Sequence, residues 1–93
     1  MDVLPEIVDA VNNRAPVLVD GGFRRGTDIL KALAAGASAV LVGRPPLWGL
    51  GAFGEVGVQR VLELLEKELA WAMGLAGRPN IGSINRSLIR IEN

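Results

Sequence analysis

The strongest constraint on the fold is a repeated punctuation. Pro16-Val17-Leu18-Val19 and Ala39-Val40-Leu41-Val42 are short apolar runs rich in β-branched residues, and each stops at glycine, Asp20-Gly21-Gly22 in one case and Gly43-Arg44 in the other. Runs of this length, apolar on both faces, read as buried parallel strands. Helical spacing surrounds them. Leu4, Ile7, Val8 and Val11 predict a short helix over about 3–12, eased in by Pro5 and ended by Asn12-Asn13. Thr27 is the expected N-cap of a helix that carries Ile29, Leu30, Leu33 and Ala34 and stops at Gly36. Gly43-Arg44-Pro45-Pro46 breaks the second strand and reads as a glycine loop. From Glu55 to about Ala76, Val58, Val61, Leu62, Leu65, Leu69, Ala72 and Met73 recur at three and four, a long amphipathic helix with Glu63 and Lys67 paired on its wetter side. A weaker helical stretch is expected around 84–89, within the tail from Asn80 to Asn93.

This alternation belongs to the α/β class. Two strands complete neither an open doubly wound sheet nor a closed barrel, which takes about 250 residues. With 93 residues and 49% hydrophobic content, the chain carries more apolar surface than a body of this size is expected to hide, since such chains bury only about 60% of their unfolded surface. Assembly with something outside residues 1–93 is therefore expected. No Ser- or Pro-rich linker divides these residues, which read as one piece.

Ten basic and ten acidic residues cancel, so no global field draws nucleic acid or an anionic membrane, and any anion site must be local. With no cysteine, thiolate chemistry and disulfides are excluded, which fits a reducing, cytoplasmic setting. With no histidine, the usual near-neutral proton shuttle and commonest metal ligand are missing. No basic leader precedes an apolar stretch, and no run approaches the ~20 residues that span a bilayer.

The chemistry concentrates in the two glycine loops. At the carboxyl end of a strand, glycine lets an anion approach backbone N–H groups, and the next helix adds the positive end of its dipole. Gly21 and Gly22 remove side chains, and Arg24 or Arg25 can make a two-pronged contact with phosphate. Gly43-Arg44 repeats the device one strand later. Blander readings stand beside this one. A strand-Asp-Gly-Gly-helix junction is often only a tight turn, Arg25 is the member of its pair expected to be merely solvated, and Asp20 could cap the loop's own amides. Trp48, Phe53 and Trp71 are expected to fill core. Asn85-Arg86-Ser87 matches a glycosylation acceptor by letters alone. No Walker loop, dinucleotide fingerprint, metal-ligand spacing or nucleophile-base pair is present.

At these residues the chain resembles a known family. The pairing of "DGGFRRGTD" with "GRPPLWGLGAFGEVGV" is similar to the C-terminal part of the FMN-dependent 2-hydroxy-acid oxidases and dehydrogenases, and the likeness extends from "VLPEIVDAV" into the tail. The resemblance implies the last two βα units of a TIM (β/α)8 barrel, strands seven and eight being Pro16 to Asp20 and Ala39 to Val42. It implies FMN as cofactor, with Asp20, Gly21, Gly22, Phe23 and Arg24 along its ribityl chain and phosphate, and Gly43 and Arg44 completing the phosphate grip. Phe23 departs from the smaller aliphatic residue common there, but its expected contact is through backbone. The family's general-base histidine and substrate-carboxylate arginine fall in a His-Gly-Gly-Arg type motif ahead of the segment resembling "VLPEIVDAV", so no catalytic residue is expected within 1–93 and the chain alone is expected to be inactive. The expected partners are the complementary N-terminal part of the barrel or a second copy paired through bare strand edges, with a small 2-hydroxy acid as substrate of the whole. Two alternatives remain open on the residues alone: a non-catalytic phosphate-binding or self-assembly module, and a piece of another phosphate-gripping barrel such as IMP dehydrogenase.

Overall fold

A computed structural model describes residues 3–89. The first helix, α1 (Leu4–Val11), holds Pro5 in its first turn and ends where Asn12 and Asn13 adopt left-handed backbone. Strand β1 (Leu18–Asp20) leads to α2 (Gly26–Ala34), and β2 (Ala39–Leu41) leads to α3 (Arg44–Phe53). The long helix α4 (Glu55–Leu75) follows after Gly54, whose φ of 67° makes the corner between the two helices. The two strands pair parallel, Leu18 opposite Ala39, Val19 opposite Val40 and Asp20 opposite Leu41. Parallel pairing in this register puts both strands' carboxyl ends, and so both glycine loops, at one end of the sheet.

One face of the sheet is covered. Val19 and Val40 pack against a core of Leu4, Phe23, Ala32, Ala35 and Ala37, joined by Val8, Ile29 and Ile89. The other face is bare, with Leu18 58% and Leu41 51% exposed. The expectation that both faces are buried is therefore corrected for these residues, because α1 and α2 lie on one side and none of the described elements covers the other. The radius of gyration, 14.1 Å, exceeds the roughly 12 Å of a compact globule this long, in keeping with a body that is open on one side.

Helix α4 packs against both α2 and α3. Val58, Val61, Leu65, Leu69, Ala72 and Met73 face inward as their spacing predicts, while Leu62 is exposed. The α3–α4 crossing is close because Gly49 and Gly57 meet there: a Cβ on Gly57 would overlap the Gly49 carbonyl. Four expectations are corrected. The Gly-Arg-Pro-Pro segment ends the second strand as expected, but it also opens α3 where only a glycine loop is expected, since proline fits the first turn of a helix, where its missing N–H has no partner to lose. Arg25, not Thr27, is the N-cap of α2. Trp48, Phe53 and Trp71 are exposed at 55%, 79% and 65%, for the same reason as the bare sheet face: no described element lies over them. Glu63 turns to Arg60, 3.5 Å away, and accepts a hydrogen bond from Gln59, in place of Lys67.

The tail forms two 3-10 turns, Ile81–Ser83 and Arg86–Leu88, where a weak helix is expected. Asn80 and Asn85 cap them by accepting from the amides of Ser83 and Ser87, the local bonding with which asparagine competes against continuous helix. Arg86 reaches back to α1, donating to the Asp9 carboxylate at 2.9 Å and to the Pro5 carbonyl at 3.2 Å. The rest of the tail, beyond Ile89, lies outside the described residues.

Candidate functional site

A cleft of about 430 Å³ opens at the carboxyl end of the sheet, and Asp20, Gly21, Gly22, Phe23, Arg24, Gly43 and Arg44 all line it, together with Leu41 and Pro45. All seven sequence candidates thus come together, from two loops separated by some twenty residues. Their convergence follows from the parallel register: had the strands paired antiparallel, the loops would lie at opposite ends.

The first loop presents backbone. Gly21 and Gly22 take φ of 110° and 79°, the left-handed region that glycine enters without the penalty a side chain brings, and an added Cβ at either would meet nothing within 4 Å. The amides of Gly22 and Phe23, beyond the end of β1, donate to no carbonyl or side chain among the described residues. Successive unpaired amides in such a turn form a concave anion receptor. Phe23 turns its ring into the core, where it is 5% exposed, so only its backbone faces the cleft. That places the ring as a peg which fixes the loop on the body.

The second loop is also open, with nothing within 4 Å of the position a Gly43 Cβ would take. Here Gly43 caps α3 and Arg44 is its first residue. Pro45 and Pro46 carry no N–H, so the free donors at this helix start reduce to those of Gly43 and Arg44 beside the cleft. Arg24 and Arg44 line the same cleft, and neither guanidinium pairs with a carboxylate among the described residues. The Arg24 guanidinium lies over the Trp48 ring, 5.6 Å from its centroid, a cation–π contact. Trp48, expected in the core, is therefore a neighbour of the site, and no spacing rule in the sequence signals it.

The start of α2 is arranged differently from expectation. The sequence suggests that its dipole faces the anion, but most of the amides leading into it are already taken. Asp28 Oδ2 accepts from the Arg24 and Arg25 amides at 3.2 and 3.1 Å, and Glu68 Oε1 accepts from Gly26 at 2.9 Å. Arg25, expected to be merely solvated, is fastened to the same Glu68: its Nε donates to Oε1 at 3.1 Å and Oε2 at 2.9 Å, and Nη2 lies 2.9 Å from Oε2. The Arg25 hydrogen bond, then the Gly26 amide, hold the Glu68 carboxyl below its ordinary value, and the same Glu68 contact raises Arg25. Of the anchors, Asp28 is legible as an acid three residues into a helix; Glu68, forty-two residues from Gly26, is not.

Two loops of open glycine backbone, free amides and two unpaired guanidiniums fit a phosphate monoester, whose oxygens need several donors and whose double charge needs a cationic wall. Asp20 at the rim does not fit phosphate, which it would repel; a carboxylate suits hydroxyl groups attached to that phosphate. Among the described residues no group of three His, Cys, Asp or Glu side chains is placed to hold a metal ion, and no helix is long and apolar enough to cross a membrane.

The family described as FMN-dependent dehydrogenase matches residues 1–91. L-lactate oxidase of Nostoc sp. is 57% identical over 91 residues, covering 98% of this chain and 25% of that protein. Human 2-hydroxyacid oxidase 1 is 57% identical over 90 residues, covering 97% of this chain and 24% of its own length. An active chimera of (S)-mandelate dehydrogenase superposes with a TM-score of 0.92 at 46% identity, over 98% of this chain and 25% of that one. Mandelate oxidase carrying a monooxide FMN adduct superposes with a TM-score of 0.85 at 58% identity, over 87% of this chain and 26% of that one. The chain spans about a quarter of the length of the relatives it matches.

Proposed function

The chain belongs to the FMN-dependent dehydrogenase family, and from that premise we propose that it is the FMN-phosphate-binding segment of a 2-hydroxy-acid oxidoreductase, the last two βα units of a (β/α)8 barrel. The convergence of both glycine loops on one cleft carries this reading. In barrels, phosphate is frequently gripped between the loops that follow strands seven and eight. The bare sheet face with Leu18 and Leu41 is then the inner wall of the barrel, and its partner is the rest of that barrel, contributed by the other three-quarters of the length of the relatives.

In this reading the backbone amides of Gly22 and Phe23 and the Arg24 side chain take one side of the phosphate, and the Gly43 amide with Arg44 takes the other. Low steric demand at three glycines lets the oxygens reach hydrogen-bond distance of the main chain. The Asp20 carboxylate accepts from a hydroxyl of the polyol that leads away from the phosphate. FMN, when bound, supplies the acceptor for the two electrons released as a 2-hydroxy acid loses its C2 hydrogen and hydroxyl proton to become a 2-oxo acid. What residues 3–89 provide is position: the phosphate is the fixed end from which the flavin ring is aimed.

The test compares FMN with riboflavin, which lacks only the phosphate, on the full-length apoprotein, followed by anaerobic addition of 2-hydroxy acids while flavin absorbance is recorded. Strong preference for FMN and bleaching by a 2-hydroxy acid are expected. Equal affinity for the two flavins refutes the phosphate assignment; a flavin-loaded protein that no 2-hydroxy acid bleaches refutes the substrate class.

A further inference from the structure

We propose that Glu68, on a helix that does not line the cleft, is a positioning residue that sets the phosphate loop through Arg25 and Gly26; this rests on the phosphate assignment above. Three observations meet here. The Glu68 carboxylate grips the Arg25 side chain through both its oxygens and takes the Gly26 amide as well. At Gly26 the two elements touch so closely that a Cβ would overlap the Glu68–Leu69 backbone, so α4 and the start of α2 are in register with no intervening side chain. Asp28 then ties the Arg24 and Arg25 amides together from the other side.

The consequence for the loop follows from where it is free and where it is held. Gly21 and Gly22 have no close neighbours and the widest backbone freedom of any residue. The segment is fixed at the Phe23 ring, sunk in the core, and at the Arg25–Gly26 bracket. Arg24, which lines the cleft, is strung between these two points. A phosphate receptor works at full strength only if its donors are already aimed, since a loop that must be ordered on binding loses that free energy. Glu68 is the one group that fastens the Arg25 side chain and the Gly26 amide at once, so loosening it should weaken the grip on phosphate while leaving the rest of the flavin site intact. Arg25 accordingly faces away from the ligand, and its charge serves the bracket.

The experiment measures dissociation constants of FMN and riboflavin for full-length apoprotein of wild type, Glu68→Gln and Arg25→Gln, with thermal unfolding of each apoprotein alongside. Glu68→Gln keeps shape and an acceptor for Gly26 but removes the charge. FMN affinity is expected to fall about fivefold in either variant, as for loss of a partly exposed ion pair that orders a loop, with riboflavin affinity unchanged within twofold. The double variant should lose no more than the worse single one. A preserved FMN-to-riboflavin ratio in the variants overturns the positioning role alone. Equal binding of both flavins by wild type overturns the phosphate assignment, and this inference with it. If Glu68→Gln fails to fold, Arg25→Gln reads the same bracket from its exposed side.

Discussion

Gly43→Ala separates the needs of the fold from those of the ligand, because the two respond with opposite sign. Gly43 has φ of −120°, on the ordinary side of the map for any residue, and a Cβ there meets nothing within 4 Å. Alanine therefore brings no clash and no strained φ, and it restricts the unfolded chain, a gain of about 0.4–1 kcal/mol. The same methyl group projects into space that the proposed site gives to a phosphate oxygen. It holds that oxygen away from the Gly43 and Arg44 amides and removes at least one charge-assisted hydrogen bond, a loss of about 1.5–3 kcal/mol or roughly 10- to 150-fold in affinity. Gly22→Ala is the contrast: equally open space, but φ of 79°, so the apoprotein itself should lose about 1–2 kcal/mol from left-handed backbone. The assay is titration of full-length apoprotein with FMN and riboflavin by flavin fluorescence, with thermal unfolding of the apoprotein. A Gly43→Ala protein as stable as wild type or more so, weak for FMN and normal for riboflavin, is expected. Unchanged FMN affinity would show that the open face of Gly43 is not where the phosphate lies.

Arg44→Ala should cost about 1.5–3 kcal/mol of FMN affinity and leave riboflavin alone; an equal loss for both flavins would assign Arg44 to the ring or to folding. Gly57→Ala forces a methyl onto the Gly49 carbonyl, backbone that cannot swing aside, so overpacking of about 1–3 kcal/mol should outweigh a helix-propensity gain of up to about 1 kcal/mol and show as a net loss in denaturant unfolding. Glu68 has its carboxyl lowered from an ordinary 4.5 by Arg25 and Gly26. Its contribution to stability is therefore fully present above that ordinary value and lost as pH falls through the lowered one. Glu68→Gln should flatten the stability profile on that acid limb and leave it unchanged near neutrality apart from a constant offset.

The local chemistry was legible in the chain. Both strands, the glycine stops and the long helix follow from β-branched runs, left-handed backbone and three-four spacing, since each is decided by neighbours within a few residues. So were seven of the nine residues that line the cleft, through their residue types and their resemblance to the flavin enzymes. Helix α3 was not, because Pro-Pro and two glycines argue against a helix by propensity alone, and packing against α4 with a glycine-to-glycine crossing overrides that preference. Nor was the place of Trp48, Phe53 and Trp71, which sequence assigns to a core that the described elements do not form. The identity of each donor is thus a property of the chain. That Gly22 and Gly43 face one hollow, and that Glu68 holds the end of a loop more than forty residues before it, are properties of parallel pairing and helix packing, which join groups that no local pattern can relate.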